Sequence, residues 1–525
     1  MPISFKQGRL FSLRHEVGCA VTISASMLYD LVHCPHRVSM DLFADPVARD
    51  QPSPFVQLLW ERGAAHENEV VGRIGEAFFD LSAYRGAEKE QQTLAAMDRG
   101  EVLIYGGRII YGDLLGEPDL LRRDGRGYIA GDIKSGAGEE GVSDETEGRP
   151  KKHYAVQLAL YTDVLERVGR SSGRRAFVLD IHNKEVLYDF TAAAGVGRSQ
   201  GLWDYYEKCL GEARAIIGRM TKTLPAYASG ICKNCVWYTA CIKTLEAADD
   251  LTLIPELGRS KRDVMVDRVH SIRGLAEADV AAFIRGQKTI FPGIGPATLI
   301  KFQSRAKLLA DSKGRPYLLE PVVFPSSERD LFFDIEVDPM RDICYLHGFV
   351  ERLSGDNATE RFVSFFTDDP SVECEEHAFA ESVRYIQASQ PCVLCYYSKY
   401  ERTMYRKLRN KYPHVCSEAD IEAIFDPARA VDLYFDVVLK YTEWPTRDFS
   451  IKTLARYLGF DWHDPHPSGA ASIEWFDRWV KQRDRSIRQQ ILVYNEDDCR
   501  ATRVLFDAIK QLPVRQERLG TDVLA

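Results

Sequence analysis

Apolar and polar positions set out three stretches of different character along this chain. From Glu101 to Ser135 apolar residues alternate with polar ones, and the alternation breaks at Gly106-Gly107 and at Asp124-Gly125-Arg126-Gly127. A period of two sends successive side chains to opposite faces of a strand, and glycine-rich breaks mark tight turns, so the pattern predicts a β-meander. One strand is expected to carry Gly116-Glu117-Pro118-Asp119 and the next Gly131-Asp132-Ile133-Lys134, brought side by side by the Asp124–Gly127 turn. Helical periodicity appears around Gly63–Glu69 and Gln157–Tyr161 and dominates residues 251–325. From near Arg329 strand and helix patterns mix again. Asp330–Asp338 is an apolar strand ending in acids, Cys395–Glu401 closes a second apolar strand and opens a helix, and Ile491–Cys499 falls within a helical stretch. The expected fold class is α/β, with segments at 1–250, 251–325 and 326–525.

At 525 residues the chain exceeds what one hydrophobic core serves, which agrees with several domains. With 45% hydrophobic and 28% charged residues it has the composition of an ordinary globular protein, and no apolar run nears the ~20 residues of a membrane span. No membrane partner is expected. Met1–Leu13 lacks the basic, apolar and cleavage regions of an export signal, so the cytoplasm is the expected compartment. The net charge of -9 does not exclude a nucleic-acid partner, because carboxylates clustered to hold cations contribute to it. Two basic tracts, Arg149-Pro150-Lys151-Lys152 and Arg170–Arg175, have the charge to track phosphates, although such runs are more often solvated surface. No Walker-type phosphate loop is present, so any motor would be a separately encoded helicase.

Candidate chemistry begins at Asp132 and Lys134. Two apart on a strand, they share a face and set a metal-binding carboxylate beside an ammonium. Phosphodiester hydrolysis needs a divalent cation to neutralise developing charge and to generate hydroxide near neutral pH, while Lys134 would orient the water or stabilise the transition state. A bare Asp-x-Lys is more often an ion pair at an exposed strand end, so context decides. Gln157 and Tyr161 stand four apart on one helical face, and His66 offers a further metal ligand. Taken in order, His66, Glu117-Pro118-Asp119, Asp132-x-Lys134 and Gln157-x3-Tyr161 resemble the PD-(D/E)XK nucleases of the RecB type. The resemblance implies a restriction-endonuclease-like domain using Mg²⁺ or Mn²⁺.

Twelve cysteines are too few for a disulfide scaffold of this length, and their spacing points to metal. Cys232-x2-Cys235-x5-Cys241 follows the nuclease motifs, and Cys34-Pro35 lies far upstream; Cys19 and Cys209 have no comparable pattern. Four thiolates suit either an iron-sulfur cluster or a zinc ion. One early and three late cysteines resemble the iron-sulfur branch of the same nucleases, which includes CRISPR-adaptation exonucleases. That resemblance implies a 4Fe-4S staple, with zinc as the alternative.

In the helical stretch, Ser271-Ile-Arg-Gly-Leu-Ala and Phe291-Pro-Gly293-Ile294-Gly295-Pro frame what looks like a helix-hairpin-helix turn, with an ordinary helix-helix loop as the competing meaning. Glycines there would let backbone amides approach a DNA phosphate, and Lys301, Arg305 and Lys307 would add charge. Farther on, Asp334 and Glu336 share a strand face, and Tyr494 and Asp498 lie four apart on a helix. With Glu401 these residues resemble the RNase H-like DEDD exonucleases of the tyrosine subtype. The resemblance implies metal ligation by Asp334, Glu336 and Asp498, and water positioning by Tyr494. Glu401 stands where that family has aspartate; it would either ligate through its longer side chain or mark a domain reduced to binding, and a solvated helix start is the plain alternative. The function expected is a DNA nuclease acting on single-stranded ends in DNA repair or anti-phage processing. The opposing class is a non-catalytic, cluster-bearing nucleic-acid-binding scaffold.

Overall fold

A computed structural model describes residues 21–75, 77–141, 148–192 and 201–515; Met1–Leu13 and Cys19 lie outside them. The chain forms two compact units, one from Met1–Pro225 with Lys233–Ala240, the other from Ala226–Cys232 with Cys241–Ala525. Residues 251–325 therefore belong to the second unit.

The first unit opens with β1 (Ile23–Ser24) and α1 (Ala25–His33), followed by the long helix α2 (Pro54–Arg73). Ser53 caps α2 by accepting from the Val56 amide at 3.3 Å, and Pro54 at its first position needs no hydrogen-bond partner for its nitrogen. Then come β2 (Phe79–Asp80), β3 (Leu103–Tyr105), β4 (Ile109–Tyr111), β5 (Leu114–Gly116), β6 (Leu120–Asp124), β7 (Gly127–Ile133), α3 (Lys152–Arg167), β8 (Ser171–Leu179) and β9 (Glu185–Asp189). Six strands form one sheet in the order β9-β8-β7-β6-β3-β2, while β1, β5 and β4 form a second, small sheet. Strands β3, β6 and β7 are the antiparallel meander, and β8 returns parallel to β7 after the α3 crossover. Strand β7 is buried at every position, as a central strand must be, and α3 packs on β7, β8 and α1. Gly131 is required there: a Cβ at this position would lie 2.2 Å from the Phe177 ring on β8.

In the second unit, α4 (Ile272–Glu277) and α5 (Pro296–Ala310) precede a five-stranded sheet. That sheet comprises β10 (Arg329–Asp338), β11 (Ile343–Leu353), β12 (Asp356–Phe366), β13 (Val393–Tyr396) and β14 (Ala430–Asp432), in the order β12-β11-β10-β13-β14. The first three strands run antiparallel, and β13 and β14 lie parallel to β10. Helix α6 (Val372–Ala388) links β12 to β13, and α7 (Lys399–Lys411) follows β13. The chain ends in α8 (Ile451–Tyr457), α9 (Gly469–Gln482) and α10 (Arg485–Gln511), the last packed across β10 and β11. No helix among the described residues is long and apolar enough to cross a membrane.

Two sequence expectations change here. Gly116 ends β5 in the small sheet, and Asp119 sits in the connection just before β6, so Glu117-Pro118-Asp119 is a link between strands and not part of one. The Gly293–Gly295 turn does not join two helices directly. A 3₁₀ turn at Val280–Phe283 and a short ladder pairing Ile284–Arg285 with Lys288–Thr289 intervene between α4 and α5. Gly293 has φ 76, a conformation that favours glycine, and Gly295 caps α5.

Candidate functional site

In the first unit the turn at Asp124–Gly127 pairs β6 with β7 and carries Asp119 to the end of β7. The Asp119 amide donates to Asp132 Oδ1 at 3.4 Å, and the Ile133 amide donates to Asp119 Oδ2 at 2.9 Å. Lys134 Nζ lies 2.7 Å from Asp132 Oδ2 and donates to Gln157 Oε1 at 3.1 Å. Asp119, Asp132, Lys134 and Gln157 are thus brought together, with Asp132 only 1% exposed. Tyr161, one turn along α3, does not reach this group; it is buried and donates to the Glu117 carbonyl at 3.4 Å. His66, on α2, hydrogen-bonds to the backbone of Asp180, and burial lowers its pKa. Its Nε2 is buried without a hydrogen-bond partner.

Of the four cysteines singled out, Cys34 and Cys235 belong to the first unit and Cys232 and Cys241 to the second. Arg37 is buried, which alone would lower its pKa, but the charges of Asp30, Cys235, Asp41 and Cys34 outweigh that and raise it. Both first-unit cysteines therefore stand within electrostatic reach of one guanidinium. The basic tract at 170–175 is largely paired on the surface: Arg170 with Asp98, Arg174 with Glu166 and Arg175 with Asp124.

In the second unit, β10 places Asp334 and Glu336 on one face, and α10 lays Asp498 over them. One ligand oxygen from each of the three lies within 4.8 Å of the others. Burial raises the Asp334 pKa well above its usual value, and the charges of Asp498 and Glu336 add to the shift. Burial and the Asp498 charge push Glu336 up to about 8. Tyr494, 2% exposed, is also raised well above its ordinary value, by burial first and then by Asp498. Concentrated negative charge of this kind, held in place before any counter-charge arrives, is the chemistry of a cation seat.

Several partners orient the group, and sequence reasoning misses them. Asn495 donates to Asp334 Oδ2 at 2.7 Å, and its side chain fits only because Gly348 lies opposite Asp334 on β11. Trp462 Nε1 donates to Asp498 Oδ1 at 2.8 Å, and Tyr345, stacked on Phe476, holds Ser472 at 2.7 Å and reaches Glu336 at 3.4 Å. Lys452 donates to Tyr494 at 2.9 Å and to both Asp498 oxygens at 3.1 and 3.2 Å. The Tyr494–Asp498 spacing is readable in sequence, and Asn495, three before Asp498, carries the same helical signal. Lys452 and Trp462 carry none.

Glu401 is not a solvated helix start. It is 4% exposed in the first turn of α7, its pKa is raised well above the usual value by burial and the Asp334 charge, and its Oε2 has no hydrogen-bond partner. It faces the acidic group without joining the three residues that converge within 4.8 Å. Arg305 also departs from expectation. It is 1% exposed, bound to buried Glu443 at 2.7 Å and to Glu256 at 2.7 Å, so it is a core residue and offers nothing to DNA. Lys301 pairs with Glu256 at 3.0 Å, and Lys307 is exposed.

A comparison with curated proteins returns no match for the chain. Residues 331–510, which run from β10 to the end of α10 and include every member of the acidic group, match a family model described as the RNase_H superfamily. The second unit thus carries an RNase H-like domain at its C-terminal end, a fold whose members are generally metal-dependent nucleases.

Proposed function

We propose that this chain is a metal-dependent DNA nuclease combining a RecB-type PD-(D/E)XK domain, stapled by an iron-sulfur cluster, with an RNase H-like exonuclease domain. The observation that carries the reading is the group of Asp334, Glu336 and Asp498, with ligand oxygens within 4.8 Å, inside the segment that matches the RNase_H superfamily. Three crowded carboxylates, two of them with raised pKa, fit a divalent cation, Mg²⁺ or Mn²⁺. Such a cation, when bound, neutralises charge on the phosphoryl group and provides hydroxide near neutral pH. The remaining work falls to the chain itself. Asn495 and Trp462 fix the carboxylates, Tyr494 orients the attacking water, and Glu401 supplies a further acid facing the group.

In the first unit, Asp119, Asp132 and His66 would hold the cation; a buried imidazole nitrogen without a partner suits a ligand role. Lys134, gripped by Asp132 and Gln157, would aim water or meet charge on the phosphate. The β3-β6-β7 meander, the α3 crossover and the parallel return of β8 support the PD-(D/E)XK reading. Cys34, Cys232, Cys235 and Cys241 would bind a 4Fe-4S cluster, with zinc the alternative. Arg37, beside Cys34 and Cys235, supports thiolate character there. Single-stranded DNA ends in repair or anti-phage processing are the proposed substrate and setting, a separately encoded helicase would unwind them, and the Gly293–Gly295 turn is proposed to meet the DNA backbone.

The test is cleavage of end-labelled single-stranded DNA with Mg²⁺ or Mn²⁺ by wild type, Asp132→Ala, Asp334→Ala and the double variant. Partial loss in each single variant and complete loss in the double variant is expected. Absence of cleavage by every form would instead favour a nucleic-acid-binding scaffold.

A further inference from the structure

Lys452 brings a positive charge into the acidic second site, and its contacts join two functional side chains at once. It is the second residue of α8, whose start is fixed by Ser450: the Ser450 Oγ accepts from the Thr453 amide at 3.3 Å and donates to Asp448 Oδ1 at 2.7 Å. From that anchored helix start the ammonium reaches Tyr494 and both oxygens of Asp498, lying 5.0 Å from the Tyr494 ring centroid and 5.5 Å from that of Trp462. The partners are 42 and 46 residues away in sequence, so the convergence is a product of the fold.

Hydrogen-bond capacity gives this contact a direction. An ammonium has donors and no acceptor, so at Lys452 the Tyr494 oxygen accepts, and its single O–H must donate elsewhere. Tyr494 is thereby made a donor toward Asp498 or toward water. The same ammonium occupies both oxygens of Asp498, so it competes with any cation that uses this carboxylate. We propose that Lys452 is a positioning residue of the RNase H-like site, acting through Tyr494 to orient the attacking water and holding the place of a cation on Asp498. The proposal rests on the nuclease reading of that site, and metal binding measured apart from cleavage separates the two.

All measurements use the full-length chain carrying Asp132→Ala, so that cleavage reports the second site. Mn²⁺ binding is read from the free-ion electron paramagnetic resonance signal, with Asp334→Ala as the reference for loss of this site. Lys452→Met is expected to bind Mn²⁺ several-fold more tightly than its parent, because a competing cation is gone, yet to cleave DNA at least about 10-fold more slowly in kcat with KM little changed. Lys452→Arg restores part of the rate. Tyr494→Phe added to Lys452→Met costs little more, because the lysine acts through the phenol. Unchanged or weaker Mn²⁺ binding by Lys452→Met overturns the place-holding role. Multiplicative effects of the two substitutions overturn action through Tyr494. If the Asp132→Ala parent binds Mn²⁺ but does not cleave DNA, the nuclease reading of this site fails and positioning of attacking water fails with it, while the Mn²⁺ titration still decides whether Lys452 competes for Asp498.

Discussion

Glu336 shows how a single residue carries both a fold cost and a function. Its carboxyl rises from the ordinary 4.5 to about 8 because burial and the neighbouring Asp498 charge disfavour the anion. A raised folded-state pKa means that the native chain holds more protons than the unfolded chain between those values. The stabilisation is therefore complete below about pH 4.5 and is lost as pH climbs toward 8. Metal-free protein is expected to melt at progressively lower temperature across that window, with Glu336→Gln flattening the trend and saturating Mg²⁺ reversing it. Thermal melts at several pH values with and without Mg²⁺ check this, and a melting temperature that climbs with pH in metal-free protein would contradict it. Pairs set two apart on a strand or four apart on a helix are legible in sequence, because local geometry alone gives them a common face. Asp132 with Lys134, Asp334 with Glu336 and Tyr494 with Asp498 are of this kind. Lys452 and Trp462 are not legible, since nothing in their own neighbourhoods distinguishes them from any lysine at a helix start or any loop tryptophan. Glu401 is legible as a position but not as an environment: helix-start acids are usually solvated, and only the packed structure shows this one buried.

Two close approaches hold the elements of the sites in register. A Cβ on Gly348 would fall 1.6 Å from Asn495 Oδ1, so Gly348→Ala must push the Asn495 side chain off Asp334. The expected result is weaker Mn²⁺ binding and slower cleavage by the second site, measured in the Asp132→Ala chain; unchanged binding would show that Asn495 is dispensable. Gly131→Ala meets a ring in place of a flexible polar group. Overpacking against Phe177 is expected to destabilise the first unit by about 1–3 kcal/mol in urea unfolding. Helix α5 teaches a different lesson. Its periodicity is readable, but which of its cations are buried is not, because a long arginine can snorkel or turn inward without altering the helical pattern. Arg305 turns inward to Glu443, which is 3% exposed. Arg305→Met would leave that carboxylate without its partner, at a cost of about 3–5 kcal/mol, whereas Lys307→Ala should be nearly neutral for stability. Chemical denaturation of the two variants separates a core arginine from a surface lysine.

At the scale of the whole chain, periodicity divides 251–325 from the mixed strand and helix region after it, but the fold assigns it to the second unit through contacts that no local pattern announces. Tyr317–Leu318 pairs with Thr442–Glu443, the Leu318 amide donates to the Pro513 carbonyl, and Arg305 binds Glu443. Such pairings join residues more than a hundred apart and leave no trace in a window of a dozen residues. The proposed cysteine centre belongs to the same scale, since its members lie at positions 34, 232, 235 and 241. Tying one early thiolate to three late ones removes chain entropy from the unfolded state over a very long loop, an effect worth about 4–5 kcal/mol by analogy with long-loop cross-links. Cys34→Ser is therefore expected to lower the melting temperature sharply and to abolish bound metal, whereas Cys209→Ser, at a buried thiol outside the set, should leave the metal in place. Purified wild-type chain kept free of oxygen should carry iron and acid-labile sulfide in equal amounts with broad visible absorbance. Zinc without iron or sulfide would replace the cluster with a tetrahedral thiolate site but keep the staple. Neither metal in the wild type, or a Cys34→Ser variant as stable and as metal-loaded as its parent, would remove the centre from the proposal.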